Sequence, residues 1–77
     1  MQIKPQNVLR ATYCPAFGNV NGDGMPAIEF KLWTGGLIKI SVSAATIKAT
    51  GVNPTAYSVL DNTQIKAALS NIDKEGN

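Results

Sequence analysis

The sequence predicts a small α+β domain, because strand-like and helix-like segments occur together in one short chain. Its clearest segment, about 27–42, alternates apolar and polar residues on either side of a Gly-Gly pair, as β-hairpins do. A second segment, about 62–73, places apolar residues at helical spacing. A chain of 77 residues has room for one core. We therefore expect residues 1–77 to form one domain in which this helix packs on a small antiparallel sheet.

The first predicted strand covers about 7–14. Its apolar residues fall on one face at a period of two: Leu9, Ala11 and Tyr13. Pro15 lacks a backbone donor and should end the strand. The connection that follows, as far as Pro26, is rich in Gly and Asn, so we expect it to be the most mobile part of the chain.

The hairpin is predicted to have one apolar and one polar face, and burial of the apolar face should fix its register. A two-residue loop, Gly35-Gly36, would mix apolar and polar residues on each face. A three-residue loop, Thr34–Gly36, puts every apolar residue on one face, with Gly36 in the left-handed conformation. The cross-strand pairs predicted by this loop are Leu32 with Ile38, Phe30 with Ile40, and Ile28 with Val42.

Two shorter segments follow the hairpin. Residues 43–50 are predicted to form a short helix, capped by Ser43 and ended by Gly51. An extension of the preceding strand is the alternative for this segment. Residues 55–60 carry apolar and aromatic side chains and are predicted to form a short strand.

The C-terminal helix has both a start signal and an apolar stripe. Asp61 and Gln64 stand three residues apart, as in a capping box. The stripe predicted to lie on the apolar face of the hairpin contains Ile65, Ala68, Leu69 and Ile72.

The composition excludes most catalytic chemistry. The chain has no histidine, so Ser-His-Asp and Cys-His arrangements and the ordinary zinc sites are impossible within it. Cys14 is the single cysteine, which excludes an intrachain disulfide and fits a reducing compartment. No segment has the length and hydrophobicity of a membrane span. We therefore expect a cytoplasmic protein that is not an enzyme and uses no cofactor and no membrane.

Residues 18–24 resemble the start of a calcium-binding loop of the EF-hand or dockerin kind. Asn19, Asn21 and Asp23 occupy the first, third and fifth positions of such a loop. The twelfth position is Phe30, where the loop needs a bidentate acid. We therefore interpret the stretch as a turn and expect no metal.

Trp33 and Leu37 are the candidate partner-binding residues. In the predicted register they face each other on the polar side of the hairpin, with Lys31, Lys39 and Glu29 as a polar rim. A large apolar pair on a solvent face favours contact with a partner. The alternative is that another strand, a loop or the N-terminus covers the pair.

These observations predict a small, non-catalytic protein-binding module: an inhibitor, an adaptor or a minor structural component. It would bind another protein or a second copy of itself. Accessory proteins of phages and mobile elements have similar compositions, but no motif carries that comparison. The alternative is nucleic-acid binding through Lys31, Trp33 and Lys39, although the net charge is only +2. An enzyme or small-ligand protein would need a site between copies of the chain.

Overall fold

The computed structural model describes residues 3–15 and 26–75 of the chain. After a 3-10 turn at Pro5–Asn7, the described residues form four strands and two helices. In chain order these are β1 (Val8–Cys14), β2 (Ala27–Leu32), β3 (Leu37–Ser41), α1 (Ala44–Thr50), β4 (Ser58–Val59) and α2 (Asn62–Glu75).

The strands form one sheet in the order β3-β2-β1-β4, and all of its neighbouring pairs are antiparallel. One face of this sheet, the inner face, is covered by α2, and α1 packs beside α2. This arrangement confirms the predicted α+β fold. The buried core joins the inner face to α2 and contains Val8, Ala11, Tyr13, Ile28, Phe30, Ile40, Val42, Leu60, Ile65, Ala68, Leu69 and Ile72.

The hairpin keeps its predicted faces, but its predicted register is wrong. Phe30 pairs with Ile38 and Ile28 with Ile40, so every partner lies two residues from the predicted one. The loop still has three residues, but it is Trp33–Gly35, and Gly35 rather than Gly36 is left-handed at φ 97°. Either glycine can take that conformation. Because a shift of two residues leaves every side chain on its own face, burial does not distinguish the two registers.

Strand β1 contains a β-bulge that alternation did not predict. Val8 pairs with Leu32, whereas Arg10 pairs with Lys31, so Leu9 is the extra residue. The bulge places Val8 in the core and leaves Leu9 43% exposed. The prediction that Leu9 lies on the buried face with Ala11 is therefore wrong.

Both helices begin as predicted. The Ser43 side chain accepts a hydrogen bond from the backbone N–H of Thr46 at 3.3 Å, and α1 ends at left-handed Gly51. Residues 43–50 thus contain a helix and do not extend the strand. At α2, the Gln64 N–H donates to Asp61 at 2.8 Å and the Asp61 N–H donates to Gln64 at 2.9 Å. These reciprocal bonds confirm the capping box.

The last strand is shorter than the predicted 55–60. Asn53 is the cause, because its side-chain oxygen accepts hydrogen bonds from the backbone N–H and the hydroxyl of Thr55. Such an Asx turn bends the backbone away from an extended path. The preceding loop is held to the core by the Tyr13 hydroxyl, which donates to the Pro54 carbonyl at 2.9 Å.

Two predictions fall on residues 16–25, outside the described part of the chain. They are the mobility of the connection after Pro15 and the interpretation of residues 18–24 as a turn. In the described ranges, neither helix combines the length and hydrophobicity that a membrane crossing needs.

Candidate functional site

The sheet face opposite the helices, which we call the outer face, carries the residues singled out from the sequence. Strand alternation sends Ile28, Phe30 and Leu32 inward, so Glu29 and Lys31 lie on the outer face. On β3 the same alternation places Leu37 and Lys39 there. No described helix packs on this part of the sheet.

Trp33 and Leu37 are the most exposed apolar residues of the hairpin. The Trp33 side chain is 67% exposed and the Leu37 side chain is 62% exposed. Trp33 is held through its backbone, because its N–H donates to the Asn7 carbonyl at 3.1 Å. The indole is therefore presented to solvent from a backbone position that is held by the 3-10 turn before β1. The described residues do not cover it.

The prediction that Trp33 and Leu37 face each other across the hairpin is wrong. Leu37 lies opposite Lys31, and Trp33 is the first residue of the turn. The cause is the shift of the left-handed glycine from Gly36 to Gly35, which moves Trp33 out of the strand and into the loop. Leu37 lies on the outer face, and Trp33 lies in the turn at that end of the hairpin.

The fold gathers positive charge that is scattered in the sequence. Lys31 lies opposite Leu37 on one side and opposite Arg10 of β1 on the other. In the next row, Glu29 lies between Lys39 and Thr12. A single carboxylate therefore sits among three cationic side chains. Lys31 and Glu29 are half-buried, whereas Lys39 and Arg10 are exposed.

Sequence reasoning missed three contributors to this surface. Arg10 joins it through the pairing of β1 with β2, which no local pattern reveals. Val59 lies opposite Thr12 on β4 and is 66% exposed, and Tyr57, just before β4, is 64% exposed. Val59 is the last residue of a two-residue strand, which is too short for alternation to indicate where its side chain faces.

The open part of the outer face lies toward the hairpin turn. At the other end Ala27 is only 4% exposed and Cys14 is half-buried. The Cys14 thiol lies 3.9 Å from the Thr12 carbonyl, a weak contact typical of a small structural residue. The surface available to a partner therefore extends from Trp33 and Leu37 across Lys31 and Arg10.

Metal-ligand clustering and the pKa of Tyr13 are the remaining chemical features of the described chain. Within residues 3–15 and 26–72, no three acidic or cysteine side chains lie together as metal ligands would. Burial raises the pKa of the Tyr13 phenol above its ordinary value, and the neighbouring Cys14 adds to the shift. Tyr13 faces the core and its hydroxyl is bonded to Pro54, so this shift belongs to folding.

Fold and site together define a small α+β domain with one sheet face packed by helices and the other partly open. Comparison of the chain with family profiles, with curated proteins and with solved structures gave no significant match.

Proposed function

We propose that this domain is a non-catalytic protein-binding module that recognises its partner through the open part of the outer face. The observation that carries the proposal is the pair of exposed apolar side chains, Trp33 and Leu37, beside the cationic rows of β1, β2 and β3. Tryptophan is among the residues that contribute most binding energy when an interface buries them.

Burial of these two side chains in an interface would remove apolar area from water. A tryptophan can remove about 150–250 Å² from solvent in a packed contact, and each square ångström of apolar area stabilises the complex by about 25 cal/mol. Leu37 stands on the sheet and the backbone of Trp33 is held by its hydrogen bond to Asn7, so little backbone entropy is lost when a partner packs on them. Lys31, Lys39 and Glu29 form a polar rim that orients the partner.

The proposal also includes a non-catalytic role and a cytoplasmic location. The lone Cys14 and the absence of any histidine support both. Without a nucleophile-base pair or a metal-ligand cluster in the described chain, a binding role explains the residues better than a catalytic one. A single half-buried cysteine fits the reducing cytoplasm.

The test is a comparison of variants in partner binding. A protein captured from lysate of the encoding organism is purified, and its dissociation constant is measured for the parent domain, Trp33→Ala and Lys66→Ala. Lys66 is exposed on α2, away from the outer face, and serves as the control. We expect Trp33→Ala to weaken binding by about 2 kcal/mol, roughly 30-fold. Equal affinities for the three proteins would refute the proposed surface. If the captured partner is a second copy, light scattering of the same variants gives the dissociation constant.

One observation favours nucleic-acid binding as a second candidate. Arg10 and Lys31 are cross-strand neighbours, and Lys39 lies in the adjacent row, so the outer face presents clustered cations beside an exposed indole. Such a surface can contact phosphates while the indole stacks on a base. A labelled single-stranded oligonucleotide titrated at several salt concentrations tests this. Three phosphate contacts predict a slope of about −2 in log affinity against log salt. A flat series would exclude this function and leave protein binding.

A further inference from the structure

Strand β3 forms one edge of the sheet, and its outward backbone groups follow from the hairpin register. Leu32 donates to the Gly36 carbonyl and Val42 donates to the Pro26 carbonyl, each at 2.9 Å. Hydrogen-bonded pairs alternate along an antiparallel ladder, so Ile38 and Ile40 also bond to β2. The N–H and C=O groups of the alternate residues therefore point away from the sheet. These residues are Leu37, Lys39 and Ser41.

The opposite edge of the sheet is much less suited to pairing. Strand β4 contains only Ser58 and Val59, and the Asx turn at Asn53 bends the chain just before it. A short edge of this kind is one of the ways in which proteins prevent strand addition. The β3 edge has five residues, and among the described residues only Lys39 protects it in this way.

The side chains along β3 indicate what an added strand would carry. On the outer face, Lys39 stands at the centre of the edge; Glu29 lies directly opposite it in β2, and Lys31 lies in the next row, opposite Leu37. On the inner face, Ile38 is half-buried and packs against the core, so its exposed part would be covered by an apolar neighbour. An added strand with acidic residues on the outer side and apolar residues on the inner side complements both faces.

A second copy of β3 fits less well. The antiparallel register that overlaps all five residues of two copies places Lys39 directly opposite Lys39 of the other copy. Like charges directly opposite each other destabilise a strand pair.

We infer that the β3 edge binds an extended peptide segment of alternating acidic and apolar residues, which adds to the sheet as an antiparallel fifth strand. The inference rests on the proposed binding function and names the partner's chemistry. Backbone hydrogen bonds to Leu37, Lys39 and Ser41 supply affinity, and the alternating side chains supply specificity.

The probe is a synthetic peptide, acetyl-Val-Glu-Val-Glu-Val-Glu-Val-amide, titrated into the intact protein. We expect saturable binding with a dissociation constant below about 1 mM. The same peptide with Lys in place of Glu should bind at least tenfold more weakly, since it places positive charge beside Lys39 and Lys31. Absence of binding by the acidic peptide would overturn the inference.

N-methylation separates backbone pairing from simple charge attraction. In an antiparallel added strand, the glutamate N–H groups face β3 and the valine N–H groups face solvent. We expect N-methyl groups on the glutamates to weaken binding at least tenfold and N-methyl groups on the inner valines to leave it within twofold. Equal binding of both methylated peptides would show that the backbone does not pair, and would overturn the inference.

Two variants of β3 itself test the same edge, with the acidic peptide unchanged. Ser41→Pro removes a donor that faces away from β2, so the hairpin ladder should survive, and peptide binding should fall at least tenfold. Ser41→Ala is its control and should bind within twofold of the parent. Lys39→Glu should also reduce binding at least tenfold, whereas Lys48→Glu, at an exposed position of α1, should not. Unchanged binding by Ser41→Pro and Lys39→Glu would place the peptide elsewhere and refute the edge site.

The outcomes distinguish this inference from the proposed function. If Trp33→Ala loses the captured partner but no acidic peptide pairs with β3, the outer face binds and the strand-addition site is refuted. If the peptide pairs with β3 but Trp33→Ala keeps full affinity for the captured partner, the edge site stands and the anchor role of Trp33 is refuted.

Discussion

The inner and outer faces of the same four-stranded sheet are built from alternate residues of the same strands, yet they differ in almost every property. Inward residues such as Phe30 and Ile28 are 0% and 1% exposed. Their outward neighbours carry charge, and Leu37 on the adjacent strand is 62% exposed. One strand thus holds the fold together on one side and presents a surface on the other.

This difference shows where the sequence is constrained by folding. Each inner-face residue removes apolar area from water and fills a close-packed core, so its loss should cost stability. The large outer-face residues make few contacts within the described chain, so folding alone does not account for a tryptophan in the turn. The proposed binding function would account for it, which is why Trp33 is central to that proposal.

The largest expected effect is on the inner face. Phe30→Ala leaves a cavity at the centre of the core and should lower the free energy of unfolding by about 3–5 kcal/mol. Trp33→Ala, a comparable truncation on the outer face, should change it by about 0.5 kcal/mol or less. Chemical denaturation followed by circular dichroism measures both. A Trp33→Ala variant destabilised as much as Phe30→Ala would show that the indole belongs to the core.

An intermediate effect is expected in the turn that presents Trp33. Gly35 has φ 97°, and no atom lies within 4 Å of the position that a Cβ would occupy, so Gly35→Ala is penalised only by backbone strain. We expect a loss of about 1–2 kcal/mol in unfolding free energy. Gly36 has no positive φ, and a Cβ there would meet Leu32 at an ordinary 3.8 Å. Gly36→Ala should therefore be the milder change, and the reverse order would support the hairpin register predicted from the sequence.

The smallest expected effect concerns the hydrogen bond from the buried Tyr13 hydroxyl to the Pro54 carbonyl. Tyr13→Phe removes the hydrogen bond to the Pro54 carbonyl and should cost about 1 kcal/mol at neutral pH. Burial, helped by Cys14, raises the folded-state pKa of Tyr13 above its ordinary value. The unfolded phenol therefore loses its proton first as the pH passes about 10. The folded state then binds more protons, so this contribution is intact below that pH and is lost above it.

The corresponding measurement is denaturation of the parent and Tyr13→Phe between neutral and alkaline pH. We expect the stability of the parent to fall more steeply above pH 10 than that of the variant. Parallel profiles would show that Tyr13 ionises as readily in the folded domain as in the unfolded chain.

Local signals were enough to predict most of the fold. The alternation of the hairpin predicted which side chains face inward, and Asp61 with Gln64 predicted the start of α2. Local signals failed where two backbone arrangements bury the same side chains. Gly35 and Gly36 can each close the turn without exchanging the faces, and a bulge at Leu9 leaves no mark on composition. Strand β4 is short because the Asn53 side chain bonds to Thr55 and bends the chain. The apolar pattern of 55–60 gave no sign of this competing turn.

The candidate site was predictable only in part, for the same physical reason. Trp33, Leu37, Lys31, Lys39 and Glu29 lie in one hairpin, so alternation alone predicted that they share a side. Arg10 reaches that side because β1 pairs with β2, and the free edge of β3 depends on which strand ends the sheet. Both are properties of long-range pairing. The binding role of these residues stays a proposal.

The fluorescence of Trp33 tests the open outer face most directly, because it is the only tryptophan in the chain. With 67% of the side chain exposed, the free protein should emit at the wavelength of tryptophan in water and should be quenched freely by iodide. Emission shifted to shorter wavelength and protected from iodide would place the indole in an apolar environment, and the outer face would then have no exposed anchor to offer a partner.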